Sequence, residues 1–207
     1  LIDTLTGFKY IGEKIKEFEE TNSNTFIFGL EESYGYLAGT FVRDKDAVVA
    51  ATLITEMTLY YKEKGLTLYE ALINLYEEYG YTKEALVSIE LQGKEGQAKI
   101  AKCIDTLRND KVTEINGIKV VKAFDYKLSE EVSYENNDVT KSEINLPKSN
   151  VLKYILEDDS WFVVRPSGTE PKMKVYLSIV GESLKSSEEK INAFKEDVMD
   201  KISNILN

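Results

Sequence analysis

The sequence predicts a C-terminal α+β domain, with a mostly antiparallel sheet and helices on one face, preceded by a helix-rich segment. Three observations predict it. Apolar periodicity in the second half of the chain runs β-α-β-β-β-β-α, the pattern of strands gathered into one sheet and flanked by helices. The first half instead repeats helical spacing, with a single apolar run between the helices. The change of character falls near residue 84, which divides the 207 residues into segments 1–84 and 85–207.

In chain order, residues 6–20 place Phe8, Ile11, Ile15 and Phe18 on one helical face, and Asn22 to Asn24 break that pattern. "TFIFGL" (25–30) is β-prone and apolar and is expected to be a buried strand. It opens into "EESYGYLAGTFVRDKD", read as a polar, glycine-containing loop. A helix starting near Asp46 carries Ala50, Leu53, Ile54, Met57 and Tyr61 on one face and stops at Gly65. Thr67 and Glu70 form a capping box ahead of Leu68, Leu72, Leu75 and Tyr79, and Gly80 ends that helix. In the second half, strands are expected at 85–91, 118–126, 151–156, 161–165 and 172–180. An amphipathic helix at 96–110 uses Ile100, Ile104 and Leu107. The segment rich in Ser, Glu and Asn after residue 126 reads as a polar loop. A last helix, capped by Ser186 and Glu189, buries Ile191, Phe194, Val198, Ile202 and Ile205.

Composition excludes several functions. With 36 acidic against 26 basic side chains the net charge is −10, so nucleic acid is not an expected partner, although a local anion site is compatible with it. No apolar run approaches the ~20 residues of a membrane span, so no membrane is expected either. Cys103 is the only cysteine, which fits a reducing cytoplasm, and on the flank of an apolar helix face it reads as a packed thiol. Histidine is absent, which removes Ser-His-Asp triads and His-ligated zinc. A chain that begins at Leu1 without a start methionine reads as an excised piece.

Four stretches carry chemistry. In "RPSGTEPKMK" (165–174), Arg165 offers a planar fork to phosphate oxygens, Ser167 and Thr169 offer hydroxyls, and Gly168 permits a turn whose N–H groups form an anion nest. Lys172 and Lys174 add positive charge. The alternative is a solvated hairpin in which Pro and Gly only make the turn. In "GLEESYGY" (29–36), Glu31, Glu32 and Ser33 follow a strand, where carboxylates can accept from sugar hydroxyls and Tyr34 or Tyr36 can flank a ring. An exposed acidic loop is the alternative. In "RDKD" (43–46), Asp44 or Asp46 can cap the next helix, but Arg43 and Lys45 are unfavourable at a helix N-terminus and need another reason. In "LTGFK" (5–9), Thr6 can cap the first helix, while Gly7 is a poor helix former suited to close approach by a ligand.

Taken in order, "TLTGFKYIGEKI", "FGLEESYGYL", "RDKDA" and "RPSGTEPKMKVY" resemble the α-D-phosphohexomutases, the phosphoglucomutases and phosphomannomutases, over essentially the whole chain. The resemblance implies that residues 1–84 are an α/β remnant, the C-terminal half of the family's sugar-binding third domain. It implies that 85–207 are the phosphate-binding fourth domain. It implies substrate contacts from Thr6, Gly7, Lys9, Glu31, Ser33, Arg43 and Lys45, with Lys45 in a possible proton-transfer role. Arg165, Ser167, Gly168, Thr169 and Lys174 would grip the phosphate that is not transferred.

The same resemblance implies a hexose phosphate substrate, Mg²⁺ and glucose 1,6-bisphosphate as intermediate. The family's phosphoserine loop and its Asp-rich metal loop have no match in this chain, so the expected metal ligands here are none. A partnership with the missing N-terminal domains follows, and the chain alone is expected to be inactive. A stand-alone phosphosugar-binding or protein-interaction module is the alternative. It is disfavoured by the mid-domain start.

Overall fold

A computed structural model of the chain describes residues 1–31, 34–135 and 138–206. The chain divides into two compact units, Leu1–Asn74 and Leu75–Asn207. Neither the predicted strand at 85–91 nor the segment boundary beside it coincides with that division.

In the first unit, helix α1 (Phe8–Thr21) packs one face on a two-stranded hairpin of β1 (Phe28–Glu31) and β2 (Gly35–Ala38). Glu31 opposes Gly35 at the turn and Phe28 opposes Ala38 at the open end. Phe8, Ile15 and Leu37 form a small core, with Ile11 and Phe26 against it. Two expectations change here. Residues 35–38 are a strand rather than loop, because pairing with β1 satisfies their backbone. The apolar run before them is not buried: Ile27 is 79% exposed, and Phe28 and Leu30 about half, because β1 pairs only with β2.

Helix α2 (Ala47–Glu63) begins at Asp46, whose carboxylate accepts from the N–H groups of Val48 and Val49 at 2.9 and 3.0 Å. Its predicted apolar face is present, yet none of its side chains is buried. Helix α3 (Leu68–Tyr79) opens on the expected capping box: Thr67 N–H and hydroxyl both donate to Glu70, and Glu70 N–H donates back to Thr67. Those bonds hold the Glu70 carboxyl below its usual range.

The second unit is built on a sheet of strand order β3-β10-β9-β8-β5-β6-β7, every neighbouring pair antiparallel. The strands are β3 (Tyr81–Glu90), β4 (Glu114–Ile115), β5 (Ile118–Asp125), β6 (Glu130–Glu135), β7 (Asp138–Glu143), β8 (Leu152–Leu156), β9 (Trp161–Pro166) and β10 (Lys172–Gly181), with β4 attached to β5. Helices α4 (Gly93–Asn109) and α5 (Leu184–Leu206) lie over one face. Alternation does the sorting: Met173, Val175, Leu177 and Ile179 of β10 point into the core with Ile100 and Ile104 of α4 and Phe194 and Val198 of α5.

Three sequence expectations are corrected in this unit. The strand expected at 85–91 starts at Tyr81, because β3 pairs with β10 along its whole length. The segment read as a polar loop contains β6 and β7, whose polar faces disguise an edge hairpin. Helix α5 starts earlier than its supposed cap: Ser186 N–H donates to Ser183 Oγ and Ser183 N–H donates back to Ser186 Oγ, so the box is Ser183–Ser186 and Glu189 stands outside it. Cys103 is buried as expected, and burial pushes its thiol up to about 11. No helix among the described residues is long and apolar enough to cross a membrane.

The turn between β8 and β9 is tied to α5 through Asp158, 2.5 Å from Lys190 Nζ. Burial pushes the Asp158 carboxyl up, but hydrogen bonds from Lys190 and Ser160 more than offset this and hold it below its ordinary value. A depressed carboxylate adds stability that is present above its unfolded pKa and is lost as pH falls through the folded value. Asp158→Asn is therefore expected to be less stable than wild type at pH 7, with the gap closing below about pH 4. Urea titrations at both pH values check this, and a gap that does not change with pH refutes the linkage.

Candidate functional site

The first unit presents a groove of about 810 Å³. Lys9 and Glu13, one turn apart on α1, form one wall, and Arg43, Asp44, Lys45 and Asp46 form the other. Asp46 N–H donates to Tyr36 O at 2.9 Å, which fastens this loop to β2. Lys45 Nζ lies 2.6 Å from Asp44 Oδ1 and 5.1 Å from the Phe8 ring centroid. The Asp44 hydrogen bond raises the Lys45 pKa, with further help from the charges of Asp44 and Glu31. At neutral pH Lys45 is therefore a cation that can donate hydrogen bonds.

Gly35 brings Lys45 and Glu31 together. A Cβ there would lie 2.5 Å from Lys45 Cδ and 3.1 Å from Glu31 Oε2, so the absence of a side chain lets both functional groups converge over β2. Arg43 is engaged: one guanidinium nitrogen is 2.5 Å from Glu19 of α1, and another donates to Thr40 O. Lys9 sits over the Tyr10 ring at 4.7 Å. Thr6 is exposed and does not cap α1. Gly7 holds that position with φ 126°, a left-handed conformation that itself calls for glycine. Of the two tyrosines, Tyr36 stacks on Phe28 and Tyr34 is exposed. Ser33 and Glu32 lie outside the described residues.

The second unit holds the other constellation. Arg165 alternates with buried Phe162 and Val164, so it stands on the sheet face away from the helices. Lys174 is its directly opposed partner on β10, and Ser88 of β3 is opposed to Lys174 on the other side. Neither Arg165 nor Lys174 has a carboxylate partner among the described residues. Lys172 does: it pairs with Glu170 at 3.5 Å and Glu90 at 3.8 Å.

The loop between the strands departs from the expected nest. Gly168 is not in a left-handed conformation, so the turn does not need it. The N–H groups of Thr169 and Glu170 turn towards Ser167 Oγ, at 3.4 and 3.2 Å. Gly168 contributes open space instead, since a Cβ there would meet nothing within 4 Å. Sequence reasoning missed Gly35, Glu13 and the pairing of Lys172. Of these only Glu13 had a local signal, its four-residue spacing from Lys9.

Two family models match the chain: phosphoglucomutase/phosphomannomutase, alpha/beta/alpha domain III, over residues 1–79, and the phosphoglucomutase/phosphomannomutase C-terminal domain over residues 105–201. The chain belongs to the phosphoglucomutase/phosphomannomutase family. Within it, a phosphoglucomutase of Staphylococcus haemolyticus is 42% identical over 177 residues, covering 86% of this chain and 31% of that protein. One from Staphylococcus aureus strain MW2 is 41% identical over 191 residues, covering 92% of this chain and 34% of that protein. The fold is shared with the open form of pp63/parafusin, a phosphoglucomutase from Paramecium, at TM-score 0.59 and 17% identity, over 97% of this chain and 33% of that one. The chain thus spans about a third of the length of the relatives it matches. It corresponds to the C-terminal part of such a protein.

Proposed function

We propose that this chain is the substrate-recognition end of a phosphohexomutase that interconverts glucose 1-phosphate and glucose 6-phosphate by intramolecular phosphotransfer in the cytoplasm. Residues 1–84 would read the sugar and residues 85–207 the phosphate that stays in place. The observation that carries this is the Arg165–Lys174 pair. Like charges directly opposed on a sheet destabilise it, and among the described residues neither member of this pair is joined to a carboxylate in an ion pair that would offset the repulsion. An anion bridging the two would remove the cost, and Arg165 supplies a planar fork that fits two phosphate oxygens.

In the first unit, Glu31 would accept from sugar hydroxyls. Lys45, held protonated, would donate to an oxygen of the sugar or its phosphate. Lys9 and Arg43 line the same groove. Binding energy at the fixed phosphate would position the reacting end. Among the described residues no three His, Cys, Asp or Glu side chains gather as a metal site, so none is assigned to Mg²⁺. In the longer protein that ion would stabilise charge on the transferred phosphoryl group, with glucose 1,6-bisphosphate as the intermediate. The remaining domains would supply the phosphoryl donor, and this chain alone would not turn over.

Glucose 1-phosphate titrated into the chain and followed by NMR is expected to shift the amides of 165–174. Arg165→Ala is expected to weaken binding about ten- to a hundredfold, the loss of about 1.5–3 kcal/mol from one charge-assisted contact. Equal affinity in the variant would refute the phosphate reading.

A further inference from the structure

We infer that Lys172 is a positioning residue of the phosphate loop, which keeps the loop's own carboxylate, Glu170, and the neighbouring Glu90 from opposing the bound anion. The inference rests on the reading of Arg165 and Lys174 as a phosphate clamp. The turn that carries the clamp also carries negative charge. Glu170 is the last residue but one before β10, and Glu90, at the end of β3, is directly opposed to Lys172. Glu90 is thus two residues along the strands from Lys174, and Glu170 stands in the loop itself between Ser167 and β10, and charges act over ~10 Å in ordinary salt.

Lys172 answers both carboxylates at once. Its ammonium is 3.5 Å from Glu170 Oε2 and 3.8 Å from Glu90 Oε2. Its backbone closes the turn as well: Ser167 N–H donates to Lys172 O at 2.8 Å and Lys172 N–H donates to Glu170 O at 2.7 Å. Next to it, Leu91 N–H donates to Pro171 O at 3.0 Å, which fastens the turn to the end of β3. Lys174, two residues on and on the same sheet face, is opposed to Ser88 where Lys172 is opposed to Glu90. Register therefore gives two neighbouring lysines different work. One is neutralised by carboxylates, and the other stands beside Arg165 without one.

The test titrates inorganic phosphate into the full chain and follows the amides of 167–169 by NMR. Lys172→Met is expected to weaken binding about three- to tenfold, because it uncovers two carboxylates beside the anion. Glu90→Gln/Lys172→Met/Glu170→Gln is expected to bind within about twofold of wild type, since neutral amides leave no charge to shield. Glu170→Gln alone, with Lys172 in place, is expected to bind at least as tightly as wild type, and this measurement stands even if Lys172→Met does not fold.

A triple variant as weak as Lys172→Met would make the lysine a direct ligand and overturn the inference. Lys172→Met equal to wild type, or Glu170→Gln weaker than wild type, would also overturn it. An Arg165→Ala control separates the two readings. If it binds phosphate as well as wild type, or if wild type binds none, the clamp fails and the inference with it. If Arg165→Ala loses binding while Lys172→Met keeps it, the inference alone fails.

Discussion

Arg108→Met is expected to lower the stability of the second unit by about 3–5 kcal/mol, the range for breaking a buried ion pair from one side. Arg108 joins three elements. Its Nε is 2.6 Å from Asp125 Oδ2 on β5, one Nη is 2.5 Å from Asp105 on its own helix, and the other donates to Asn150 Oδ1 at 2.7 Å, just before β8. The side chains of Arg108 and Asp125 are only 10% and 13% exposed. Removing the guanidinium leaves the Asp125 carboxylate away from water, with the N–H groups of Lys127 and Leu128 as uncharged partners. Methionine keeps the aliphatic stem, so the loss reports the charge and its hydrogen bonds rather than packing.

The only tryptophan, Trp161 on β9, lies in the same unit, so its fluorescence reads this transition directly. A fall in Tm of about 10 °C or more is expected. Adding Asp125→Asn should recover part of it, since the uncompensated charge is then gone. A variant that melts within a couple of degrees of wild type, on the order of 1 kcal/mol or less, would mean that the network adds nothing net. The Arg108 network uses none of the proposed phosphate contacts. Below the transition, phosphate affinity should therefore stay unchanged, which separates the stability of the unit from the chemistry of its open face.

What the sequence made legible follows how local each signal is. The Thr67–Glu70 box was readable because both partners lie within one turn. The helical face of α4 was readable because Ile100, Ile104 and Leu107 repeat at the helix period and are buried by the sheet that the same segment adjoins. Strand β7 was not readable: all six of its residues are exposed, so no apolar alternation marks it, and only pairing with β6 makes it a strand. The run at 25–30 showed the opposite failure. Its apolar content was clear, but burial depends on what packs against it, and its one strand partner leaves Ile27 and Leu30 exposed.

The candidate site divides along the same line. "RPSGT" stood out in the sequence as a candidate for anion binding. That Gly168 offers space rather than a left-handed turn depends on backbone angles no spacing encodes. Lys172 and Lys174 read alike in sequence, and only the strand register, which opposes one to Glu90 and the other to Ser88, tells them apart.

Phe194→Ala is expected to cost a further large share of the same unit's stability, about 3–5 kcal/mol for a buried Phe reduced to Ala. Phe194 of α5 is fully buried and meets Phe162 of β9 edge to face, ring centroids 6.3 Å apart. Phe162 in turn stacks on Tyr154 of β8 at 4.7 Å, and the Tyr154 hydroxyl donates to Leu107 O at the end of α4 at 3.0 Å. The three rings thus connect α5, β9, β8 and α4, and an alanine would leave a void at one end of that chain which the flat stack cannot collapse to fill. Phe194→Leu, which keeps most of the volume, should recover most of the loss, and urea midpoints of the two variants give the comparison.

β9 also carries Arg165, three residues beyond Phe162 on the opposite face. If backbone pairing rather than the rings fixes β9, Phe194→Ala should bind phosphate as wild type does wherever it is fully folded, because pairing with β8 and β10 still sets the Arg165–Lys174 register. Weakened binding in the folded variant would instead mean that the helix-side core tunes the open face through the strand. A stability loss near zero would place α5 away from β9 and contradict the packing itself.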